Sequence, residues 1–372
     1  MILLGVKMNI YALTKYSYEG PSSRYRFYNY KKCFVKQDID MTIRPFFEKS
    51  YFSAHNKIIK LFVVLFSYFT RFFLVCKVLI FKKRYDLVLI EYELFPYFPA
   101  LFEYLLNKRG IRYIVDYDDA IFHKYDMSNN KIVQALLKNK IANVIEYASR
   151  VIVCNEYLES YAKNHNDNTF RLPTVVLLDK YKKEMATFRK KNDDIFVIGW
   201  VGSRTTSVYI LEILPAIKNF IDKYKNVRFD LVGFDKNLLS HDTVVKHQLN
   251  IITWTEEKEI ENILTFDVGI MPLHDDPWSR GKCGFKLVQY MSCKKPVIAS
   301  PVGMNISLVK EGENGFLVKS IDEWFDAFEK LYLDKALQQK LAENNFKKIE
   351  TEYSHEKNCQ RYVELIHTVL AR

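Results

Sequence analysis

The stretch Met271–Gly303, MPLHDDPWSRGKCGFKLVQYMSCKKPVIASPVG, decides how this chain is read. An apolar run, Val268–Met271, stops at Pro272; a polar loop follows, then a helical run from about Gly284 to Ser292 and a second apolar run, Pro296–Ala299. Two continuously apolar strands joined through a helix form a βαβ unit, whose strands pair in parallel and are covered on both faces. Gly281 and Gly284 let backbone approach a ligand, and the helix start offers unpaired N–H groups with a positive dipole. Lys282 and Lys286 stand four residues apart, one helical turn, so both are expected at one mouth, with Arg280 as a further cation. An anion, most simply a phosphate, suits that pocket, to which Phe285 is also assigned. Gln289, three residues beyond Lys286, points the same way and is placed to hydrogen-bond a hydroxyl. The plainer alternative is a solvated helix end carrying ordinary surface lysines.

The same alternation runs outward in both directions. Strand candidates before the middle of the chain are Asn9–Leu13, Met41–Pro45, Leu87–Ile90, Tyr113–Asp116 and Val151–Cys154. After it come Phe196–Trp200, Arg228–Val232, Asn250–Thr253, Val268–Met271, Pro296–Ala299 and Gly315–Val318. The two series are separated around residues 173–193, where LPTVVLLDKYKKEMATFRKKNDD turns from apolar to strongly charged. The expectation is an α/β protein of two Rossmann-like, doubly wound domains facing a central cleft, because ligands bind beyond the carboxyl ends of such strands. Residues 1–173, with a C-terminal helix of about 356–371 packing back on them, form the first domain, and 174–355 the second.

At 372 residues, 49 % hydrophobic and 27 % charged, the chain is globular rather than disordered or low in complexity. Its 55 basic and 44 acidic residues leave a net charge of +11, which favours anionic partners: phosphorylated substrates, nucleic acid or an anionic bilayer. The six cysteines are scattered with no zinc spacing and are read as reduced thiols in a cytoplasmic protein. The start, MILLGVKMNIYALTK, lacks the pattern of a secretory signal and reads as a first buried strand.

Residues 57–84, KIIKLFVVLFSYFTRFFLVCKVLIFKKR, concentrate the charge excess: from Ala54 to Arg84 there are seven basic residues and no acid. Lys57, Lys60, Ser67, Thr70, Arg71 and Lys77 fall within an arc of about 160° on a helix, the rest being mostly apolar, and interior charges argue against spanning a bilayer. Two readings stand side by side. One is a long helix packed on the first sheet. The other is an interfacial helix, its basic rim on anionic lipid and its Phe and Leu side chains in the acyl boundary.

The motif GKCGFKLVQYMSCKKPVIASPVG, with ENGFLV at Glu313–Val318, resembles the second domain of the group 1, or family 4, glycosyltransferases of the GT-B fold. The Lys286 position followed by Tyr290-Met291 matches a subset of that family, whereas the family's paired glutamates fall here on Gly281 and Gln289. The resemblance extends to IGWVGSRTTSVYILEILPAI, residues 198–217, where it implies that Gly202, Ser203 and Arg204 meet the donor diphosphate. A simple βα turn capped by Ser203 or Thr205 is the plainer reading there. Thr253 and Trp254 fall where the family holds the nucleobase; Trp254 either stacks on it or is a core tryptophan.

In the first domain GPSSRYR, Gly20–Arg26, occupies the place of a family loop near the donor phosphates, which assigns Gly20, Ser22, Ser23 and Arg24 to donor binding, with Arg26 nearby; an ordinary polar loop is the alternative. VDYDDAIF, Val115–Phe122, sets Asp116, Asp118 and Asp119 at a strand end, and acids there must be solvated, paired or used. The resemblance makes Asp118 or Asp119 the residue that faces the anomeric centre or the acceptor hydroxyl, while one of them is expected to cap the next helix; His123 is a weaker candidate.

The resemblance implies transfer of a glycosyl unit, with retention, from a UDP- or GDP-linked sugar to a saccharide hydroxyl. Lys286 and Arg204 would be catalytic cations with Asp118 and Asp119, and neither cofactor nor metal is needed; His274–Asp275–Asp276 reads as a loop rather than a metal site. The basic helix suggests a lipid-linked acceptor, surface-polysaccharide synthesis and a peripheral place on the cytoplasmic face of the inner membrane. Rival readings are a nucleotide-sugar epimerase of the same fold and a non-catalytic membrane- or nucleic-acid-binding protein; no RNA-binding signature and no GxGxxG or P-loop supports the last or a nicotinamide enzyme.

Overall fold

The computed structural model describes residues 8–54, 56–189, 194–239 and 248–371. The segment 1–7, part of the expected first strand, and residues 190–193 at the expected boundary lie outside them. The chain divides into two compact units: Met1–Thr174 with Gly281–Cys283 and His355–Arg372, and Val175–Arg280 with Gly284–Ser354.

The first unit holds a six-stranded sheet in the order β2-β1-β3-β4-β5-β6. Its strands are β1 (Met8–Tyr16), β2 (Ile39–Phe47), β3 (Leu87–Glu91), β4 (Tyr113–Tyr117), β5 (Arg150–Val153) and β6 (Thr169–Arg171). Every pairing is parallel. All five residues of β3 and of β4 are buried, which is why LVLIE and YIVDY read as continuous apolar runs rather than alternations. The C-terminal helix, His355–Leu370, belongs to this unit, and Tyr362 packs edge-on against Tyr30 and Phe34. Cys33 and Cys359 are brought side by side there, their Cα atoms 6.5 Å apart, within the reach of a disulfide where the sequence reading expected six separate reduced thiols; Cys76, Cys154, Cys283 and Cys293 are free. Spacing could not reveal that pair, because its partners are 326 residues apart.

The second unit repeats the design with the order β12-β11-β10-β7-β8-β9, again all parallel. The strands are β7 (Phe196–Val201), β8 (Val227–Val232), β9 (Leu249–Ile252), β10 (Val268–Met271), β11 (Val297–Ala299) and β12 (Gly315–Leu317). The helices Val208–Lys223 and Ile321–Leu333 bury Phe220, Trp324 and Phe328 against Phe229 of the sheet. Each such side chain stabilises by about 1.5–3 kcal/mol.

The long helix, Lys57–Ile80, begins with Asn56 as its cap, whose side chain accepts from the amides of Ile58 and Ile59. Its buried residues are Ser67, Arg71, Val75 and Val78, so the side turned to the protein is the one carrying polar groups. Arg71 is 1 % exposed; its guanidinium donates to the carbonyls of Thr14 (2.6 Å) and Arg44 (3.2 Å) and lies 5.4 Å from the Phe46 ring centroid. Burial lowers its pKa to about 10. The apolar arc is therefore outside. The helix is thus packed on the first sheet, as one of the two readings had it, through Arg71 on the carbonyls of Thr14 in β1 and Arg44 in β2. The helix is long and apolar enough to cross a membrane, with a mean hydropathy of 2.0. A central arginine would cost about 2.5–3.5 kcal/mol at a bilayer midplane, however, and here it is bound to the sheet.

Candidate functional site

In the second unit the site forms at the carboxyl end of β7. The chain passes through Gly202 and Ser203 into a single tight turn, Arg204–Thr206, and then the helix Val208–Lys223. The Ser203 amide donates to Thr206 Oγ1 (3.0 Å) and the Ser207 hydroxyl to the Ser203 carbonyl (3.1 Å), closing the turn. Gly202 has no room for a side chain: a Cβ would lie 2.1 Å from the Trp200 ring and 2.8 Å from Thr206 Oγ1. Gly233, after β8, has φ +77°, and its Cβ would meet the Gly202 carbonyl oxygen at 2.3 Å, so the two loops touch through bare backbone.

Lys286, near the start of the helix Phe285–Ser292, reaches this turn. Its ammonium lies 4.7 Å from the Trp200 ring centroid and donates to Thr206 Oγ1 at 3.4 Å. Trp200 is buried and forms a flat floor, over which a cation gains from the ring quadrupole. The structure thus brings Lys286 to the turn that carries Arg204, whose side chain is exposed. Gly284 caps the helix with φ +65°, Phe285 is half-buried and Gln289 is buried. Trp254 is half-buried: its Cβ faces Gly233, and its indole N–H donates to Glu259 (2.9 Å), leaving it neither a core residue nor a free one. Thr253 is exposed.

Lys282 stands before the left-handed Gly284, outside the helix Phe285–Ser292. The segment Gly281–Cys283 belongs to the first unit: the Asn155 amide donates to the Lys282 carbonyl (3.0 Å), and a Cβ on Gly281 would lie 2.4 Å from Ala120 Cβ. Its charge acts on Asp119, as described next.

In the first unit the polar residues gather at the carboxyl ends of β1, β3 and β4. Asp118 is buried and accepts a short hydrogen bond from the Tyr92 hydroxyl. Tyr92 has φ +63°, a left-handed conformation that costs a bulky residue about 1–2 kcal/mol and turns its ring toward Asp118. Asp119 is half-buried; desolvation and the charge of Asp118 raise its pKa to about 6, against the opposing pull of Lys282, Lys124 and Lys15. Burial and the neighbouring Lys15 lower Lys124 to about 8. Glu91 accepts from Ser23 Oγ (2.5 Å) and the Lys15 amide (2.7 Å) through one oxygen while its other is buried without a partner, and burial raises its pKa to about 8. Neither Asp118 nor Asp119 caps the helix His123–Asp126, whose first turn lacks a side-chain cap, which corrects that expectation.

The Gly20–Arg26 segment is not a loop but a short helix, Pro21–Arg26, capped by Gly20, where a Cβ would collide with Tyr16 at 2.3 Å. Ser23 is turned onto Glu91, and Arg24 is buried between the rings of Tyr18 and Tyr25. Ser22 is half-buried. Arg26 forks onto Asp116, with Nε to Oδ1 at 2.8 Å and Nη2 to Oδ2 at 2.7 Å, and also donates to the Leu172 carbonyl (2.8 Å). His123 lies between Asp126 (3.0 Å) and the Tyr157 hydroxyl (2.8 Å). His274 pairs with Glu212, Asp275 with Arg280 and Asp276 with Ser279; among the described residues no cluster of His, Cys, Asp or Glu is arranged to hold a metal ion.

Sequence reasoning missed Lys15, Glu91, Tyr92 and Lys124. The signal was IEYELF, which closes an apolar strand on two acids as VDYDD does. Lys15 and Lys124 carried no local signal, since only the fold brings them to Asp119.

Residues 193–334 match the model of the family described as glycosyl transferases group 1, which bears out the resemblance seen in the sequence. A probable sucrose-phosphate synthase of Thermosipho melanesiensis is 23 % identical over 57 % of this chain and 50 % of its own length. The capsular polysaccharide biosynthesis glycosyltransferase CapM of Staphylococcus aureus is 25 % identical over 50 % of this chain and 47 % of its own. The chain thus spans about half the length of these two relatives. The solved structure of HepE from Anabaena in complex with UDP superposes with a TM-score of 0.67 over 97 % of this chain and 100 % of that one, at 15 % identity. The fold is GT-B.

Proposed function

We propose that this GT-B chain, whose residues 193–334 match the group 1 glycosyl transferases, moves a sugar from a UDP- or GDP-linked donor to the hydroxyl of a saccharide acceptor. The reading rests on one observation above all. Within the matched segment, a lysine on a helix start reaches a glycine-walled turn at the end of β7, over an aromatic floor. A diphosphate leaving group gains charge as its bond to the sugar breaks, and fixed cations with exposed helix N–H groups stabilise that charge. Lys286 and Arg204 take this role, the start of the helix Phe285–Ser292 supplies backbone N–H groups, and Gln289 and Trp254 hold the nucleoside.

On the first unit Asp119 is the carboxyl assigned to the acceptor hydroxyl. Asp118, held by Tyr92, is its positioning neighbour, and Lys282 and Lys124 set its charge. A group titrating at about 6 passes a proton in either direction near neutral pH. Retention of configuration, independence from divalent metal, a lipid-linked acceptor, surface-polysaccharide synthesis and a cytoplasmic membrane surface meeting residues 57–84 complete the proposal. The UDP in the HepE structure and the capsular role in CapM's name support the direction taken.

The test is nucleotide release. UDP- and GDP-sugars are incubated with the protein, with and without a membrane extract as acceptor source, in the presence of a chelator. Acceptor-dependent release of nucleoside diphosphate that survives chelation is expected. Interconversion of the sugar with no acceptor added would replace the proposal by the epimerase reading. A thermal-shift screen identifies the base, since a ligand stabilises by mass action.

A further inference from the structure

The side of the long helix that points away from the protein is a continuous apolar stripe. Ile58, Phe62, Phe66, Phe69, Phe73 and Ile80 follow one another at helical spacing; Phe62 is 66 % and Phe66 69 % exposed. The stripe does not end with the helix. Phe72 meets Phe102 edge-on (5.9 Å), the Tyr68 hydroxyl donates to the Pro96 carbonyl (2.6 Å), and Tyr97, Phe98 and Leu101 are exposed on the adjoining segment after β3. A patch of this extent on a soluble surface marks an interaction site.

Its charge states what covers it. From Lys49 to Tyr85 the sequence holds no Asp or Glu. Lys57 and Lys60 stand exposed at the helix start, Lys77 beside the stripe, and Lys82, Lys83 and Arg84 at the exit. A second copy of the chain would bring the same cations with no acid in the patch to pair them, so self-association through this face is opposed. A surface of apolar depth and anionic rim answers both features.

We infer that the long helix and the Tyr97–Leu101 segment together form an in-plane dock for the anionic monolayer of a bilayer, with the helix lying along the interface. This rests on the membrane partner proposed above and gives it a geometry. The polar side of the helix is committed to the sheet through Arg71, so the helix cannot turn end-on without leaving β1 and β2. Only the outward stripe is available, and it enters no deeper than its phenylalanine rings. The dock adjoins the polar cluster of the first unit. Lys140 donates to Glu93 and to the Phe95 carbonyl, and Tyr125 bonds both Glu93 and the Tyr97 amide. A lipid-linked acceptor therefore meets the carboxyl ends of β3 and β4 from the plane of the membrane.

The full chain is floated on vesicles of phosphatidylglycerol and phosphatidylcholine in equal parts, and on phosphatidylcholine alone. Flotation on the anionic vesicles, much weaker flotation on the neutral ones and release by alkaline carbonate are expected. Phe66→Asp with Phe69→Asp should abolish flotation. Replacing Lys82, Lys83 and Arg84 by Gln should weaken partitioning roughly fivefold per residue, on the order of a hundredfold together. The altered side chains are exposed, and unchanged circular dichroism and an unchanged thermal shift with UDP or GDP show that fold and nucleotide site are intact. If these controls hold while the wild type fails to float, or the Phe variant floats as well as the wild type, the dock is refuted and the transferase reading stands. Retention after carbonate refutes the in-plane geometry. A concentration-dependent dimer abolished by the Phe substitutions, without vesicle binding, assigns the stripe to a second copy instead.

Discussion

Lys286→Ala isolates the group on which the donor assignment turns. A unit charge pair about 4 Å apart at an effective dielectric near 20 is worth about 4 kcal/mol. Lys286 is half-buried, so solvent screening removes roughly half of that, leaving about 2 kcal/mol, or about thirtyfold in Kd for a nucleoside diphosphate. The lost contact with Trp200, about 0.5–1 kcal/mol, is paid in stability rather than affinity, and the variant should still fold. Titration calorimetry with UDP and with GDP, on wild type and variant, measures the difference. Lys286→Arg keeps the charge over the same ring and should recover most of the affinity. Lys335→Ala, an exposed lysine of the same unit, controls for overall charge. An alanine variant within about twofold of wild type, or one matched by the Lys335 control, would refute a phosphate bound at this turn.

Three further outcomes follow from the geometry. Removing one partner of the buried Arg26–Asp116 pair, by Arg26→Met or Asp116→Asn, should cost about 3–5 kcal/mol in urea unfolding. It must be followed by far-UV circular dichroism, because Trp200, Trp254, Trp278 and Trp324 all lie in the other unit. Glu91, whose folded pKa is raised by burial to about 8 from 4.5, holds its proton in the fold where the unfolded chain has lost it. Stability should therefore fall as pH rises across that window, by at most about 1.4 kcal/mol per pH unit, and Glu91→Gln should flatten the thermal-melting profile there. Gly202→Ala places a methyl against the Trp200 ring and Thr206, and should cost about 1–3 kcal/mol in thermal stability together with nucleotide affinity, whereas a neutral result would show that the turn has slack.

The sheets were legible because their strands are buried on both faces and so read as unbroken apolar runs; DLVLIE and KPVIAS needed no context. Thr169–Arg171 escaped because TFR holds a single apolar residue, Phe170, and makes no apolar run. The turn after β7 was legible through its glycine, whose lack of a side chain is visible in sequence and required by the Trp200 ring in space. Counting by four from Lys282 to Lys286 assumes a helix that begins only at Phe285. The long helix showed its two faces plainly in the sequence, but not which one turns inward, since that depends on Arg71 meeting the carbonyls of Thr14 and Arg44. Periodicity gives the angle between faces and is silent about their direction. The cluster around Asp119 draws on residues more than a hundred positions apart, a distance no local pattern spans.

Arg71 also separates architecture from adhesion. The hydrogen bonds that fasten the long helix, from Arg71 to Thr14 and Arg44 and from Tyr68 to Pro96, involve none of Phe62, Phe66 and Phe69, so these exposed positions can be rewritten without breaking them. A version with that exterior made hydrophilic would be a detergent-free reagent for crystallisation and calorimetry, carrying the turn after β7 unaltered.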